Sequence, residues 1–441
     1  MSKLRVVSIC TSDTYGGAAR AAYRIHQAVN ARGEVESVMF VKDKRTNDST
    51  VHSLTEYLPK GMWFRGFDWC ANKVKNKLQH ARWRRYRDTQ DVSYKSDLRG
   101  TRFYKALKEL HPDVIHLHWI NLRFIYLPEL VRYIKKQARQ GKHIPIVWTQ
   151  HDSWAFCGVC HYFLDCDGYK QQCGNCPQLM PDKARQSNND LSHQLWIQKQ
   201  RCYADLDFHV VAPSRWLADC AKESSLFHHV DVRVIPNNID TNMFSPSDDV
   251  SKTTNLFAKP YVLYGAVNAA TDKRKGFAYL LEALKIIEQQ YAAQHSEVPF
   301  ELVVFGANEG DLPMSLNIPI HYMGFVSDTQ QLVSLYRNAS VMVVPSLTEN
   351  LSCAIMESLS CGTPVVAFNI GGNSDMITHQ QNGFLAKEKD NADLAQGILW
   401  TFEHNAHNEL RNTARTSVLE RFTGDIVAQQ YIALYQQSIR K

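Results

Sequence analysis

Short apolar runs with polar ends alternate with helix-patterned stretches along the chain, and the alternation starts twice. "LRVVSI" (Leu4–Ile9) opens it, with Ala18, Ala22, Ile25 and Val29 behind it at helical spacing. "ESVMFV", "DVIHLHW" (Asp113–Trp119), "IPIVWTQH" (Ile144–His151) and "FHVVAPS" (Phe208–Ser214) continue the series. "VRVIPNNIDTNMFSP" (Val232–Pro246), with two prolines and an Asn-Asn turn, then reads as a hinge or linker. The runs resume with "YVLYGAV" (Tyr261–Val267), "FELVVFG" (Phe300–Gly306), "IHYMGFV" (Ile320–Val326), "VMVVPS" (Val341–Ser346) and "PVVAF" (Pro364–Phe368). Short apolar runs separated by helices imply parallel strands buried on both faces. The pattern therefore predicts an α/β chain of two doubly wound, Rossmann-like domains. Ligands of such sheets bind beyond the carboxyl ends of the strands, and a cleft between two facing domains is the expected site. At 441 residues the chain is long enough for two buried cores.

The charge is uneven. Gly61–Gln90 carries Arg65, Lys73, Lys75, Lys77, Arg82, Arg84, Arg85 and Arg87 against Asp68 and Asp88, a local +6 that equals the whole-chain excess. Trp63, Phe64, Phe67, Trp69, Trp83 and Tyr86 are interleaved with them. Basic residues with interfacial aromatics suit an anionic membrane surface, and a solvated helical face with aromatic anchors is the plainer alternative. No nucleic-acid-binding module is recognisable, so nucleic acid is not an expected partner. The opening "MSKLRVVSIC" lacks the long apolar segment of a signal peptide, and no run approaches eighteen apolar residues. The expectation is a cytoplasmic protein, peripheral on the inner face of the membrane.

The strongest chemical constellation is "VMVVPSLTENLSCAIMESLSCGTPVV". Glu349 follows a strand, and Glu357 lies eight residues on, a little over two helical turns. The helix start between them offers free backbone N–H groups to an anion. Carboxylates flanking a phosphate site suit a ligand with hydroxyls at both ends and phosphates in the middle. From spacing alone, a solvent-facing and a helix-face Glu is the plainer reading. A Gly-Gly at Gly16–Gly17 follows the first strand and permits close backbone approach to a phosphate. No G-x-G-x-x-G is present, which argues against a nicotinamide cofactor. "DCD" (Asp165–Asp167) and "DLD" (Asp205–Asp207) are triplets that arise easily by chance and are not assigned.

With "CGTPVVAFNIGGNSDMI" and "NGFL" added, the glutamate segment resembles the signature of the family-four retaining glycosyltransferases, which have the GT-B fold. The resemblance implies that Glu349 contacts the donor sugar's hydroxyls and Glu357 the ribose. It implies that the amides around Asn350, Leu351 and Ser352 contact phosphate and sugar. It places Gly16 and Gly17 against the diphosphate, and Val326 of "MGFVSD" at the nucleotide base. "DKRKGF" resembles the family's phosphate clamp: Lys275 occupies the expected Lys-Gly, and Arg274 stands in for an Arg that would otherwise fall near Ala266. His151 of "TQHDSW" matches a strand-end His that meets the donor sugar, while His116 and His118 read as polar side chains alternating along a strand. In "VIPNNID" the family's Asn-Gly turn becomes Asn-Asn, tolerable because Asn238 visits positive φ readily.

Five of eleven cysteines lie between Cys157 and Cys176. Spacing selects Cys157, Cys160, Cys173 and Cys176 as two C-x-x-C pairs near a zinc-ribbon pattern. The colanic-acid-type subgroup, of exopolysaccharide and lipopolysaccharide assembly, is similar in "HDSWAF" and "CGNCP" and implies Cys160, Cys166, Cys173 and Cys176 instead. A structural zinc and a loop of reduced thiols both remain open, and no cofactor is expected for catalysis.

The resemblance thus implies a transferase moving a sugar from a nucleoside-diphosphate donor to a saccharide or lipid-linked acceptor. Expected domains are 1–240, 241–423 and a C-terminal helix, 424–441, packing back on the first. The alternatives are a nucleotide-sugar epimerase of the same architecture and a non-catalytic sugar-nucleotide-binding scaffold.

Overall fold

The computed structural model of the chain describes residues 3–57, 103–179, 188–246, 257–265, 272–311, 315–405 and 409–440. The basic aromatic segment at 61–90 and the position of Ala266 lie outside them. The chain divides into two compact units, Met1–Asn237 with Val427–Lys441, and Asn238–Ile426.

The first unit is built from β1 (Leu4–Ser12), α1 (Gly17–Arg32), β2 (Val35–Asp43), β3 (Val51–Ser53), α2 (Tyr104–Leu110), β4 (Val114–Leu117), α3 (Leu127–Arg139), β5 (Ile146–Thr149), α4 (Leu191–Tyr203), β6 (Phe208–Ala212), α5 (Arg215–Glu223) and β7 (Val232–Val234). Its seven parallel strands run in the order β3-β2-β1-β4-β5-β6-β7. The second unit holds β8 (Tyr261–Gly265), α6 (Phe277–Ala293), β9 (Glu301–Phe305), β10 (Ile320–Tyr322), α7 (Thr329–Asn338), β11 (Val341–Val344), α8 (Cys353–Ser360), β12 (Val365–Phe368), α9 (Asn373–Met376), β13 (Gly383–Ala386), α10 (Asn391–His404) and α11 (Glu409–Leu419). Its six parallel strands run β10-β9-β8-β11-β12-β13. α12 (Gly424–Ser438) ends the described chain.

The stretch expected to be a hinge begins as β7, which pairs with β6 through Val210↔Val232. Two valines split by an arginine give too short a pattern to stand out before the sheet is known. Asn238 is not among the non-glycine residues at positive φ, so the expected left-handed turn is not formed there. Its neighbour Ile239 instead bridges in parallel to Thr423, which keeps the backbone extended.

Why the strands read as continuous apolar runs is visible in the packing. Alternate residues of β1 serve different cores: Val7 and Ile9 pack on one face, Val6 on the other. The second face is closed by α12, whose Val427, Ala428, Tyr431, Ile432, Leu434 and Tyr435 join Val6, Val114, Val147 and Val211. Each such aliphatic side chain contributes roughly 1.5–3 kcal/mol when fully buried. Among the described residues no helix is long and apolar enough to cross a membrane.

Each strand order reverses once, between β1 and β4 and between β8 and β11. Such reversals leave a crevice at the carboxyl ends, because the following loops turn to opposite faces. The helices after these four strands, α1, α3, α6 and α8, have no side-chain hydrogen bond at their N-caps. By contrast Asp190, Ser214, Asp328 and Asp390 cap α4, α5, α7 and α10. The first N–H groups of a helix need a partner, and at the switch points no capping side chain takes that place.

Candidate active site

In the second unit, the loop after β11 is clasped from two sides. A 3-10 turn, Lys273–Lys275, ends at Gly276 with φ 69°. A Cβ at Gly276 would collide with the Pro345 carbonyl. Leu347 N–H donates to the Arg274 carbonyl at 2.7 Å. On the other side Gly371, at φ 53°, presses on the Glu349 backbone so closely that a Cβ would strike its carbonyl oxygen. Gly372 N–H donates to that oxygen at 3.2 Å. These contacts hold Lys275 and Glu349 together: Nζ lies 2.5 Å from Oε1, and the Ser346 hydroxyl donates to the same oxygen at 3.1 Å. The two side chains are 30% and 14% exposed.

Arg274 is turned onto a partner that its sequence position did not suggest. Its Nε and NH2 donate to the two oxygens of Asp272 at 3.0 and 2.8 Å. The guanidinium beside the clamp is therefore largely charge-compensated. Glu357, within α8, is buried and accepts from the Tyr336 hydroxyl at 3.3 Å. Asn350, Leu351 and Ser352 form the buried turn into α8. Val326 packs against the core with Met323, and neighbouring Phe325 is 76% exposed.

In the first unit, Gly16 is the N-cap of α1 with φ 91°, and the space around both Gly16 and Gly17 is open. Buried Asp13 organises this turn by accepting from Arg45 N–H at 2.8 Å and from the Thr46 N–H and hydroxyl at 2.8 and 2.9 Å. Burial opposes its ionisation, but these donors hold the carboxyl below the ordinary range.

His151, at the end of β5, does not stand alone. Its Nε2 lies 3.1 Å from His118 Nδ1. His116 and His118, expected as polar side chains of an alternating strand, are both buried, with ring centroids 4.0 Å apart. The correction follows from the closure of that sheet face by α12. The Tyr435 hydroxyl lies 2.8 Å from His116 Nδ1, His116 Nε2 lies 2.8 Å from the Thr149 hydroxyl, and Thr149 lies 2.9 Å from the Tyr431 hydroxyl. Burial lowers His116 to about 3, with the neighbouring His151 acting in the same direction. Enclosure lowers His151 to about 4, and the Asp152 carboxylate opposes that only in part. All three rings are neutral near pH 7.

Asp152 is the anion of this region. It accepts from His161 Nδ1 at 2.7 Å, Trp119 Nε1 at 2.9 Å and Trp154 N–H at 2.9 Å. Burial pushes its carboxyl up, yet His161 and the two N–H donors hold it below the usual range. The next two residues of "HDSW" and His161 were legible as residues, but nothing in their spacing announced that they converge.

For the cysteines, the sequence left a structural zinc and a loop of reduced thiols both open. Among the described residues, no group of three or more His, Cys, Asp or Glu is placed to hold a metal ion. The sulfurs have separate local partners instead. Cys160 and Cys176 share a thiol hydrogen bond, the first raised and the second lowered by it. Cys173 Sγ accepts from Gly158 N–H at 3.1 Å, and Cys166 Sγ from Gly168 N–H at 3.4 Å. The loop is anchored by Lys199, which is fully buried. Its ammonium donates to the carbonyls of Trp154, Cys157 and Gly158 at 2.6, 2.7 and 3.1 Å and sits 3.7 Å over the Trp154 ring.

Comparison with known proteins agrees with this architecture. Residues 15–243 match the family model described as "Glycosyltransferase Family 4", and residues 260–404 match "Glycosyl transferases group 1". The Escherichia coli protein WcaC, named for glycosyl transfer in colanic acid biosynthesis, is 23% identical over 74% of this chain and 76% of its own. A Campylobacter jejuni N,N'-diacetylbacillosaminyl-diphospho-undecaprenol alpha-1,3-N-acetylgalactosaminyltransferase is 29% identical over 27% of this chain and 31% of its own length. The crystal structure of Anabaena Alr3699/HepE in complex with UDP superposes with a TM-score of 0.58 at 16% identity, covering 98% of this chain and 100% of that one. The fold is GT-B, and the chain belongs to glycosyltransferase family 4.

Proposed function

We propose that this glycosyltransferase is a retaining hexosyltransferase using a nucleoside-diphosphate sugar. The observation that carries the reading is the Lys275–Glu349 pair, clasped beside the uncapped start of α8. An arriving diphosphate competes for Lys275, which releases Glu349 to accept from sugar hydroxyls. Lys275, the amides around Asn350, Leu351 and Ser352, and those of Gly16 and Gly17 then stabilise the charge that grows on the leaving phosphate. Arg274 adds to this field to the extent that Asp272 releases it. Glu357 takes the ribose, and Val326 faces the base. His151 meets the donor sugar as a neutral imidazole, a hydrogen-bonding group rather than a charge.

In the reaction the bond between the anomeric carbon and the phosphate oxygen breaks. The acceptor oxygen bonds to that carbon on the same face, and its proton passes to the departing phosphate. This route uses no general-base carboxylate, consistent with carboxylates that are each engaged elsewhere.

The acceptor we propose is a saccharide, lipid-linked, in cell-surface polysaccharide assembly. The WcaC likeness and the undecaprenol-linked substrate in the name of the Campylobacter relative support this. The basic aromatic stretch at 61–90 would bring the enzyme to an anionic membrane surface.

Thermal unfolding with UDP, GDP and ADP sugars tests the reading. A ligand that binds the folded state raises the midpoint, by about 2.7 kcal/mol of stability at a hundredfold excess over Kd. One nucleotide series is expected to do so, and no shift with any of them sinks the proposal.

A further inference from the structure

The basic turn Lys273–Lys275 holds two of its charges in different settings. Lys275 meets Glu349, which lies 74 residues further along the chain. Arg274 meets Asp272, 2 residues before it. The local pair is the more enclosed, with its carboxylate 7% exposed and its guanidinium 20%. Asp272 is first of all a cap. Its Oδ1 accepts from Arg274 N–H at 3.0 Å, and its carbonyl accepts from Lys275 N–H at 3.0 Å. Capping alone does not require an arginine. Among the described residues, the capping carboxylates of Asp190, Asp328 and Asp390 take backbone N–H and hydroxyl donors. At Asp272 a guanidinium is added side-on, with Nε on Oδ1 and Nη2 on Oδ2.

The main chain of Arg274 is pinned as well. Its N–H is held by Asp272, and its carbonyl accepts from Leu347 N–H at 2.7 Å. With the main chain and one edge of the side chain both held, the guanidinium points one way. Its N–H donors form a rigid planar fork. The side-on contact engages Nε and Nη2, so Nη1 lies outside it. An arginine so placed can hold a carboxylate on one edge and meet a phosphate with the other. The carboxylate also has an electrostatic effect, because its charge offsets the cation's. The partners are so close in sequence that they stay together whatever the loop after β11 does. Lys275 differs, since its partner belongs to that loop.

We infer that Asp272 is a positioning residue of the phosphate clamp: it fixes the direction of the Arg274 guanidinium and sets how much of its charge a diphosphate meets. The inference rests on the glycosyl-transfer reading and deepens it. Asp272 acts through Arg274 and makes no contact with the nucleotide itself.

The test is calorimetric titration of the full chain with UDP, GDP and ADP. If none binds, the glycosyl-transfer reading fails and this inference with it. With the nucleotide that binds, the unsubstituted chain is compared with Asp272→Asn, Arg274→Met and the double variant. Asparagine keeps a capping oxygen and loses the charge. Uncovering Arg274 in this way is expected to tighten binding at least about twofold, within the range of a partly exposed ion pair. Arg274→Met weakens binding, and in that background Asp272→Asn shifts it by less than about twofold. A gain below about twofold in the unsubstituted background, or an equal gain in both backgrounds, overturns the inference and leaves the glycosyl-transfer reading standing. Asp272→Ser, which also caps without a charge, is the second variant and is expected to tighten binding in the same way. If Asp272→Asn and Asp272→Ser both lose nucleotide binding and thermal stability together, Asp272 is only a structural cap and the inference is overturned.

Discussion

The two switch points are built from opposite chemistries. At β8 and β11 the groups are charged: Lys275 with Glu349, both partly exposed, and Arg274 with buried Asp272. At β1, β4 and β5 they are mostly neutral and enclosed: His116, His118 and His151, with Asp152 tied to three donors. Among the described residues every buried histidine, His26, His116, His118, His161 and His209, lies in the first unit. The difference shows how one fold supports two electrostatic environments. An ion pair in contact with water exchanges partners at little cost. In an enclosed region an unpaired polar atom is costly.

The largest effect that sharpens this contrast is on the charged side. Glu349→Ala is expected to lower transfer by about 10²–10³ while nucleotide affinity and the unfolding midpoint change little. Steady-state kinetics beside calorimetry reads this, and a loss of several kcal/mol of stability with transfer intact would break the contrast.

Acid comes next and should strike the first unit. His26 and His151 are lowered by burial to about 4 and His116 to about 3, from an ordinary 6.5. Between pH 6.5 and 4 the unfolded chain therefore binds more protons than the folded one. Stability is full above about 6.5 and falls as pH drops, by about 1.4 kcal/mol per pH unit for each such group once well inside that window. Hydrogen exchange at pH 7 and pH 5 should show protection lost from β1, β4 and β5 before β8 and β11. Equal loss in both units would contradict it.

A smaller change is expected from His151→Ala: kcat about tenfold lower, with nucleotide affinity retained, since a neutral group is removed from the sugar. Activity equal to the unsubstituted enzyme would detach His151 from the reaction. The smallest is Tyr435→Phe. It strands His116 Nδ1 without its partner and should cost about 1–2 kcal/mol by thermal unfolding, leaving transfer rates nearly unchanged.

Much of the charged site was legible because it is local. Glu349, Glu357 and the turn between them lie within nine consecutive residues, and Lys275 sits in a short basic turn, so spacing and motif carry them. Asp272 was legible only as a neighbour; that it would engage Arg274 depends on a side-chain rotamer. The enclosed region was far less legible. His116 and Tyr435 are 319 residues apart, and Asp152 gathers Trp119 and His161 from separate loops. The partners of the cysteines were not legible for the same reason. A C-x-x-C repeat states which thiols could meet, while Lys199 and the backbone decide which do.

The sequence by itself determined the parallel α/β layers, the double start and the glutamate loop. Periodicity, turn residues and contiguous motifs act over a few residues and survive without a fold. Only the tertiary structure decided which face α12 covers, which histidines lose their charge and which sulfurs find partners. Those outcomes depend on burial and on contacts between distant segments, and desolvation exists only once the chain has closed around a group.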